Sequence, residues 1–311
     1  MTQSNRLIIT GALGHIGSYL IRQPWVTRFD EVLLIDNLLT QRYASLFNLP
    51  KNFHYIFLEN DIMKLNWDQV LKEQDTIIHL AAITDAESSF DKKDLVEKIN
   101  FEGLQLVANT CLKQGARIIF PSTTSVYGSQ ASIVDETCTD LAPQSPYAES
   151  KIKSEQYLQD KALKGLACTI LRLGTIFGES IGMRFHTAVN KFIWQARFGK
   201  PISVWKTALK QYRPYLSLDD ASSAIEFVIN NHLFKGKIYN VVTKNYTVEE
   251  IIAAIRKFVP KLAIDFVDSA IMNQLSYHVN ANKIKKAGFE FKGDLETSIL
   301  NSLKLLGIND V

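Results

Sequence analysis

The chain has 311 residues, of which 46% are hydrophobic and 22% are charged, and its formal net charge is +3. This length and composition are those of a globular protein with a large core, in one extended domain or two closely joined ones. The near-balanced charge, without a long basic run, argues against nucleic-acid binding, and apolar stretches such as Ile77–Ile83 are too short to span a bilayer.

The N-terminus and the cysteines indicate a cytoplasmic protein. Met1–Asn5 contains no basic region followed by an apolar core, so we expect no secretory signal. Cys111, Cys138 and Cys168 are few and far apart, which fits a reducing compartment. Their spacing indicates neither a disulfide framework nor a zinc site, and we expect no metal.

The first predicted elements, in Arg6–Leu20, are a buried strand, a glycine turn and the start of a helix. The apolar run Leu7–Ile9 is typical of a strand, and Gly11, Gly14 and Gly17 then follow three residues apart. Glycine permits positive φ and close approach of backbone N–H groups to a ligand, and a helix N-terminus favours an anion. This spacing alone leaves open a pyrophosphate site or an ordinary tight turn.

Strands and helices then alternate. Further strands are predicted at Glu31–Asp36, Phe53–Glu59, Asp75–Ala81, Ala116–Pro121 and Ala167–Leu173, and helices at Trp67–Lys72, Leu95–Gln114 and Pro146–Lys164. Alternation of this kind predicts an α/β fold, a doubly wound parallel Rossmann sheet with helices on both faces.

The pattern loosens after Gly174. We predict helices at Phe185–Phe198, Asp219–His232, Val248–Val259, Asn280–Gly288 and Asp294–Leu306, and strands at Lys200–Trp205, Tyr212–Leu218 and Gly236–Val242. The predicted division is a dinucleotide-binding domain at 1–174 and a smaller substrate-binding lobe, mainly at 175–311. Segments at about 212–242 are expected to be interleaved with the dinucleotide-binding domain. Ligands are expected in the crevice at the carboxyl ends of the strands.

Two acidic positions follow predicted strands. Asp36 ends the second strand about 20 residues past the glycine turn, where a carboxylate accepts hydrogen bonds from adenosine ribose hydroxyls and repels a 2′-phosphate. This position favours NAD over NADP. Asp61 and Ile62 follow the third strand, where Asp61 is either an adenine contact or the cap of an Asx turn.

Tyr147 and Lys151 are four residues apart near the start of a predicted helix and therefore share one face. An ammonium at ~4 Å is worth roughly 4 kcal/mol at an effective dielectric constant of ~20, on the order of three pKa units before desolvation opposes it. We therefore expect Lys151 to lower the pKa of Tyr147, so that the phenol moves a proton to or from a sugar or alcohol hydroxyl. Ser122–Ser125 follows the fifth strand and offers hydroxyls for the same oxygen.

Together these features resemble the extended short-chain dehydrogenase/reductases, in particular the nucleotide-sugar epimerases and dehydratases. The matching stretches run in the family's order over about residues 6–221. They are TGALGHIGSYL (Thr10–Leu20), LIDNLLT (Leu34–Thr40), HLAA (His79–Ala82), NFEG (Asn100–Gly103), STTSVYG (Ser122–Gly128), PYAESK (Pro146–Lys151), LRLGTIFG (Leu171–Gly178) and RPYLSLDDA (Arg213–Ala221).

The resemblance implies the following site. Its catalytic residues would be Thr123, Tyr147 and Lys151. Its NAD-binding residues would be Gly11, Gly14, His15, Ile16, Gly17, Asp36, Asn37, Asp61, Ile62, Leu80, Ala81, Ala82, Asn100, Tyr147 and Lys151. Its substrate-binding residues would be Thr84, Thr123, Thr124, Thr175, Arg184, Asn190, Val204, Trp205 and Arg213. Arg213 matches an arginine that clamps the substrate's diphosphate, which suits a bidentate guanidinium.

Departures from the family's pattern favour an epimerase. Thr124 and Ser125 stand where sugar 4,6-dehydratases carry Asp-Glu to expel water, and Ser125 replaces the glutamate of UDP-glucuronate decarboxylases. Thr175 replaces the family's Asn and puts one nucleotide or phosphate contact in doubt. The remaining pattern is similar to UDP-glucose 4-epimerase. The alternatives are an NAD(P)H-dependent reductase of a keto sugar or other carbonyl compound, a 4,6-dehydratase, and a non-catalytic nucleotide sensor.

Several residues of the lobe stay ambiguous. Phe185, Phe192 and Trp205 are either lobe core or contacts of the nucleotide base. His186 is a second acid/base candidate or a residue that positions a diphosphate. Specificity is expected in the loops at 84–90 and 178–212, and a homodimer through Leu95–Gln114 and Pro146–Lys164 is the family's habit.

Overall fold

The computed structural model describes residues 5–51, 54–86, 89–130, 133–267 and 277–307, so the predicted strand start Phe53 and part of the 84–90 loop lie outside the described residues. The strands are β1 (Arg6–Thr10), β2 (Glu31–Asp36), β3 (Tyr55–Glu59), β4 (Thr76–His79), β5 (Arg117–Thr123), β6 (Ile133–Val134), β7 (Ala167–Leu173), β8 (Thr175–Phe177), β9 (Ile202–Trp205), β10 (Tyr212–Ser217), β11 (Lys237–Val241), β12 (Lys244–Thr247), β13 (Ile264–Val267) and β14 (His278–Val279). The α-helices are α1 (His15–Leu20), α2 (Trp67–Val70), α3 (Lys93–Val96), α4 (Gly103–Gln114), α5 (Pro146–Ala162), α6 (Ala188–Arg197), α7 (Leu218–Asn230), α8 (Val248–Arg256), α9 (Asn282–Lys286) and α10 (Leu295–Leu305).

The large sheet has seven strands in the order β11-β7-β5-β4-β1-β2-β3, and all neighbouring pairs are parallel. From β1 the chain moves outward through β2 and β3 and then returns to β4 and the other half of the sheet. This reversal opens a crevice at the carboxyl ends of β1 and β4. The predicted doubly wound parallel sheet is confirmed, and β11 brings the chain back to it after the break at Gly174.

Apolar side chains cover both faces of this sheet. Leu7 and Ile9 of β1 belong to one buried cluster, whereas Ile8 between them belongs to a second cluster. Successive residues of a strand point to opposite faces, and strands buried on both faces are apolar throughout. The uninterrupted run Leu7–Ile9 therefore reflects a central strand of a covered sheet.

Helix α5 begins where the sequence predicts. The Ser145 hydroxyl accepts a hydrogen bond of 3.2 Å from the backbone N–H of Ala148, and Pro146 occupies the first turn. The helix ends at Ala162, two residues before the predicted Lys164. The Ser145 cap and Pro146 together fix the start of the helix that carries Tyr147 and Lys151.

The predicted helix Leu95–Gln114 is a composite. It consists of α3, a π-helical turn at Glu97–Glu102 and α4, and Gly115 ends it with φ of +74°. A π turn holds an extra residue and therefore changes which side chains face the sheet, and such turns are frequent at functional sites. Asn100 lies in this turn and is only 2% exposed.

The smaller lobe has its own core. A three-stranded sheet (β12-β10-β8) and the pair β13-β9 pack with α6, α8 and α10 around a third apolar cluster, which includes Phe177, Phe192 and Ile251. Phe192 is therefore mainly lobe core. Five strands of two to four residues (β6, β8, β12, β13 and β14) were not predicted, because so short a segment has no readable alternation. Among the described residues, no helix combines the length and apolar character needed to cross a membrane.

Candidate active site

The glycine turn lies against the loop that follows β4. Gly11 has φ of +65°, and a Cβ atom there would lie 2.7 Å from the backbone N of Ala81. At Gly17 a Cβ atom would lie 2.5 Å from the Ala12 carbonyl oxygen. Because backbone atoms cannot yield as a side chain does, this close approach requires glycine at both positions.

Asp36 projects from the end of β2 onto this turn. Its carboxylate accepts hydrogen bonds from the backbone N–H of Leu13 at 3.0 Å and of Leu38 at 2.9 Å. Asp61 accepts from the backbone N–H of Met63 at 2.8 Å and from the Asn37 amide at 3.2 Å. Asp61 thus forms an Asx turn, and each carboxylate keeps lone pairs for a further donor.

A cavity of about 610 Å³ extends from these acids to the smaller lobe. The sequence-predicted residues that line it are Gly11, Gly14, His15, Ile16, Gly17, Asp36, Asn37, Asp61, Ile62, Leu80, Ala81, Ala82, Thr84, Thr123, Tyr147, Lys151, Thr175, Arg184, Val204, Trp205 and Arg213. The structure therefore brings together motifs from the carboxyl ends of the five strands β1 to β5, from α5 and from the lobe.

Residues 178–187, here called the strap, cross over the glycine turn. Ser180 Oγ lies 2.8 Å from His15 Nδ1 and accepts a hydrogen bond of 3.2 Å from Ser18. The Gly182 N–H donates to Ser18 Oγ at 2.9 Å, and the Gly182 carbonyl accepts from Arg42 at 2.8 Å. Sequence reasoning missed Arg42 and Ser180, since nothing in the local pattern links positions more than 130 residues apart.

Gly182→Val is expected to weaken the binding of NAD, the cofactor that the resemblance implies, by about 5- to 150-fold. A Cβ atom at this position would lie 2.4 Å from the Leu13 carbonyl oxygen and 2.6 Å from that of Gly14. Overpacking of this kind costs typically 1–3 kcal/mol, which displaces the strap from the glycine turn. Titration calorimetry with NAD measures the change.

Gly199→Ala is the matched control for this variant. Gly199 also contributes to a turn, with φ of +63°, but nothing lies within 4 Å of the added atom and the residue does not line the cavity. We expect a loss of stability from backbone strain and unchanged NAD affinity. Equal affinity losses in the two variants would show that the strap has no specific part in binding.

Tyr147 and Lys151 lie at the opposite end of the cavity, against β5. Lys151 Nζ donates a hydrogen bond of 2.8 Å to the Pro121 carbonyl and lies 4.3 Å from the centre of the Phe120 ring. The same nitrogen is 5.9 Å from the centre of the Tyr147 ring. Thr123 accepts from the Ser125 N–H at 3.1 Å and also hydrogen-bonds Tyr147.

The expected lowering of the Tyr147 pKa by Lys151 is wrong for this structure. Burial raises the pKa of Tyr147 to about 12, and the groups that oppose this rise are Thr123 and Arg184. Burial also lowers the pKa of Lys151 to about 7, opposed by Glu155. Lys151 Nζ lies 5.9 Å from the centre of the Tyr147 ring and is bonded to the Pro121 carbonyl. The four-residue spacing on a helix therefore overestimated the effect of Lys151 on the pKa of Tyr147.

The lobe end of the cavity is strongly cationic. Arg213 extends from β10 beside the Trp205 ring, 5.9 Å away, and its Nε and Nη2 atoms are buried without a partner among the described residues. Arg184 donates to the Thr84 hydroxyl. Burial and the nearby Arg184 lower the pKa of His186, so this histidine is neutral at pH 7. Arg213 thus has two donors available for an anion, whereas Arg184 already bonds Thr84 and lies near Asp85.

Three predicted site residues do not line the cavity. Asn100 is turned inward by the π turn, and its amide bonds both backbone groups of Ile83, at 2.8 and 2.9 Å. The Thr124 hydroxyl donates to the Leu173 carbonyl at 3.3 Å, and Asn190 donates to the Arg184 carbonyl at 3.1 Å. In this structure all three hold the walls of the cavity, and their contacts with a ligand stay predictions.

Comparisons with known proteins fit this geometry. A family model described as the NAD dependent epimerase/dehydratase family matches residues 7–241. A trifunctional UDP-glucose 4,6-dehydratase/UDP-4-keto-6-deoxy-D-glucose 3,5-epimerase/UDP-4-keto-L-rhamnose-reductase of Arabidopsis thaliana is 27% identical over 96% of this chain and 46% of its own length. The chain therefore spans about half the length of such plant relatives.

Two further proteins are similar over most of the chain. An uncharacterized UDP-glucose epimerase of Bacillus subtilis is 27% identical over 76% of each chain. The solved UDP-glucuronic acid 4-epimerase from Bacillus cereus, in complex with UDP-glucuronic acid and NAD, superimposes with a TM-score of 0.87. It is 23% identical, and the match covers 97% of this chain and 99% of that one, which shows a common fold.

Proposed function

Because this chain belongs to the NAD-dependent epimerase/dehydratase family of extended short-chain dehydrogenase/reductases, its cofactor is NAD, and we propose that it inverts a carbon of a nucleotide diphosphate sugar. The observation that carries the proposal is the meeting, in one cavity, of Thr123, Tyr147 and Lys151 with Arg213, whose Nε and Nη2 atoms have no partner in the part of the chain that the structure describes. The first group offers proton transfer, and the second offers a clamp for a diphosphate.

The residues of the large domain fit NAD. Asp36 and Asp61 keep free lone pairs beside the glycine turn, as an adenosine requires, and Lys151 Nζ is a donor at the other end. We assign the adenosine to the acids, the pyrophosphate to the turn and the nicotinamide ribose to Lys151. When bound, oxidised NAD supplies a hydride acceptor and a positive charge.

Proton transfer is the task of Tyr147. The phenolate form of Tyr147 takes the proton of the sugar hydroxyl whose carbon loses hydride and becomes a neutral phenol, and Thr123 donates a hydrogen bond to the same oxygen. The resulting keto carbon is planar, so a hydride returned to its other face gives the inverted sugar after Tyr147 gives the proton back. Arg184 contributes positive charge that favours the ionised phenol.

The side chains after β5 support epimerisation over dehydration. Expulsion of water from a sugar needs an acid beside the leaving hydroxyl. Thr124 is bonded to the Leu173 carbonyl and Ser125 to Thr123, and neither carries a carboxylate. Of the acids that line the cavity, Asp36 and Asp61 lie at the end assigned to adenosine, and Asp85 lies in the loop after β4, near Arg184 and His186 and away from the two positions after β5.

The remaining enzymatic alternative, a keto-sugar reductase, differs from an epimerase in how it uses the cofactor. An epimerase restores NAD in each turnover, so purified protein should release about one NAD per chain on denaturation. A reductase should be purified without bound cofactor and should oxidise added NADH in the presence of a keto sugar. We take UDP-sugars as the first substrates to test, since two of the similar proteins are named for them.

Arg213→Met is expected to raise KM for the nucleotide sugar by about 10- to 100-fold, with a smaller change in kcat. Hydrogen bonds to charged groups contribute about 1.5–3 kcal/mol, and the lost guanidinium would bind the diphosphate in ground and transition states alike. Steady-state kinetics with the natural substrate measure both constants.

Lys210→Met is the matched control. It removes a positive charge three residues away, from an exposed position that does not line the cavity. We expect an unchanged KM. A rise of similar size in both variants would assign the effect to the general field of the lobe and not to a diphosphate contact.

We also propose a homodimer through the two long helices. Leu95 is 43% exposed and Leu106 is 41% exposed on the helix that precedes β5, beside α5. Light scattering at several concentrations tests this assembly, and Leu106→Glu should shift it to the monomer.

A further inference from the structure

Glu155 is a buried acid that the proposed mechanism does not use. It follows Tyr147 and Lys151 on α5 at the same spacing of four residues and is 2% exposed. Its carboxylate accepts hydrogen bonds from the Ser122 hydroxyl at 2.5 Å and from Arg172 Nη2 at 2.7 Å.

Two adjacent strands hold this carboxylate. Ser122 of β5 is paired with Arg172 of β7, and Arg172 is 3% exposed with its guanidinium 4.8 Å above the Tyr127 ring. Burial of an ion pair is costly, and an apolar pair of similar volume often gives equal or greater stability. The cost of burying this ion pair therefore indicates that it has a role beyond packing.

The neighbouring bonds point to Lys151. Consecutive residues of β5 contact consecutive turns of α5, since Pro121 accepts from Lys151 and Ser122 donates to Glu155. A carboxylate fixed in this way sets the height of α5 above β5 and places one fixed negative charge one helical turn after Lys151.

We propose that Glu155, held by Arg172, is a positioning residue that keeps Lys151 cationic and in register with Pro121. The inference rests on the proposed function only in that Lys151 serves there, because the charge of Lys151 is measurable without turnover. Glu155 acts through Lys151 and touches neither substrate nor cofactor.

The charges around Lys151 support this assignment. On its own helix it faces Tyr147, a neutral phenol, and Glu155, which raises the pKa of Lys151 against the effect of burial. From β4 it faces His79, which is neutral because burial lowers its pKa to about 3. From β5 it meets the Phe120 ring and a carbonyl oxygen.

Other charged groups lie behind these neighbours. Arg184 of the strap faces Tyr147, and Arg172 of β7 is bonded to Glu155. Burial lowers the pKa of Lys151 to about 7, and Glu155 raises the pKa against this effect.

Two variants separate this role from packing. Glu155→Gln and Arg172→Gln each break the same ion pair, and both should lower stability. Glu155→Gln removes the carboxyl group and should move the titration of Lys151 down by about one pH unit or more, whereas Arg172→Gln leaves that group bonded to the Ser122 hydroxyl and should give a smaller downward shift or none. Lysine-selective ¹⁵N NMR, with the signal identified from Lys151→Arg, follows the titration.

The pH profile of kcat in the loaded enzyme is the second readout. Its basic limb should move down in Glu155→Gln, with KM little changed, and Glu155→Asp should restore much of the native profile. Equal shifts in Glu155→Gln and Arg172→Gln, or none in either, would reduce Glu155 to a structural residue and overturn the proposal.

A third variant tests the same prediction without leaving an unpaired buried charge, which could unfold the protein. Glu155→Gln combined with Arg172→Met removes both charges without leaving one unpaired, and it should show the same downward titration of Lys151. A native titration in this variant would also overturn the proposal. If Lys151 shifts as expected while no nucleotide sugar is turned over, the proposed function fails and this inference stands.

Discussion

Tyr147→Phe is expected to lower kcat by about 10²- to 10⁴-fold, the usual contribution of general acid–base catalysis, and to leave NAD binding within about twofold. The change deletes one oxygen at the carboxyl edge of the sheet, next to Thr123, and keeps the ring that packs there. The residual rate then comes from orientation of substrate and cofactor. Because the pKa of Tyr147 is raised to about 12, the native rate should increase with pH until Lys151 loses its proton.

Tyr157→Phe is the control on the same helix. Its hydroxyl donates to Asn109 at 2.7 Å and does not line the cavity. The variant should keep native kcat. Full turnover of the true substrate by Tyr147→Phe would remove Tyr147 from the mechanism.

Lys151→Met is expected to lower kcat by about 10²-fold or more and to raise KM for NAD. The side chain keeps its length and apolar body but loses the ammonium, and with it the donor assigned to the ribose and the charge near Tyr147. Single-turnover kinetics with added NAD separate the two losses.

Lys151→Met should also remove a pH dependence of the free energy of unfolding that the buried lysine gives the native protein. Burial lowers the lysine pKa from 10.5 to about 7, so between these pH values the unfolded chain binds more protons than the folded chain. The free energy of unfolding of NAD-free native protein should therefore increase as pH rises through this window, and it should not do so in the variant. Denaturant titrations from pH 6 to 10 measure this, and parallel curves would contradict a buried, perturbed Lys151. Lys153→Met, at an exposed position on α5, is the control.

Much of the large domain follows from local chemistry. Alternating strands and helices predicted the doubly wound sheet, and Ser145 with Pro146 fixed the start of α5. Residues after parallel strands meet at one edge of a sheet, so Asp36 and Thr123 share a cavity although 87 positions separate them in the sequence.

Other features depend on backbone detail that the sequence pattern does not carry. A π turn rotates Asn100 away from the cavity and onto Ile83, and the hydroxyl of Thr124 finds a strand carbonyl. The contacts of Arg42 and Ser180 with the strap join distant segments. The distance from Lys151 to the phenol depends on the Pro121 carbonyl, which helical spacing alone does not reveal.

The central claim is that hydride leaves and returns to one sugar carbon within the same site. Its most direct test is NMR of purified protein incubated in D₂O with UDP-, dTDP-, GDP- and CDP-sugars. We predict one inverted centre in one of these substrates, with no deuterium at the inverted carbon and no net change in NAD. Loss of water from the sugar, deuterium at the inverted carbon, or stoichiometric consumption of NADH would contradict the account.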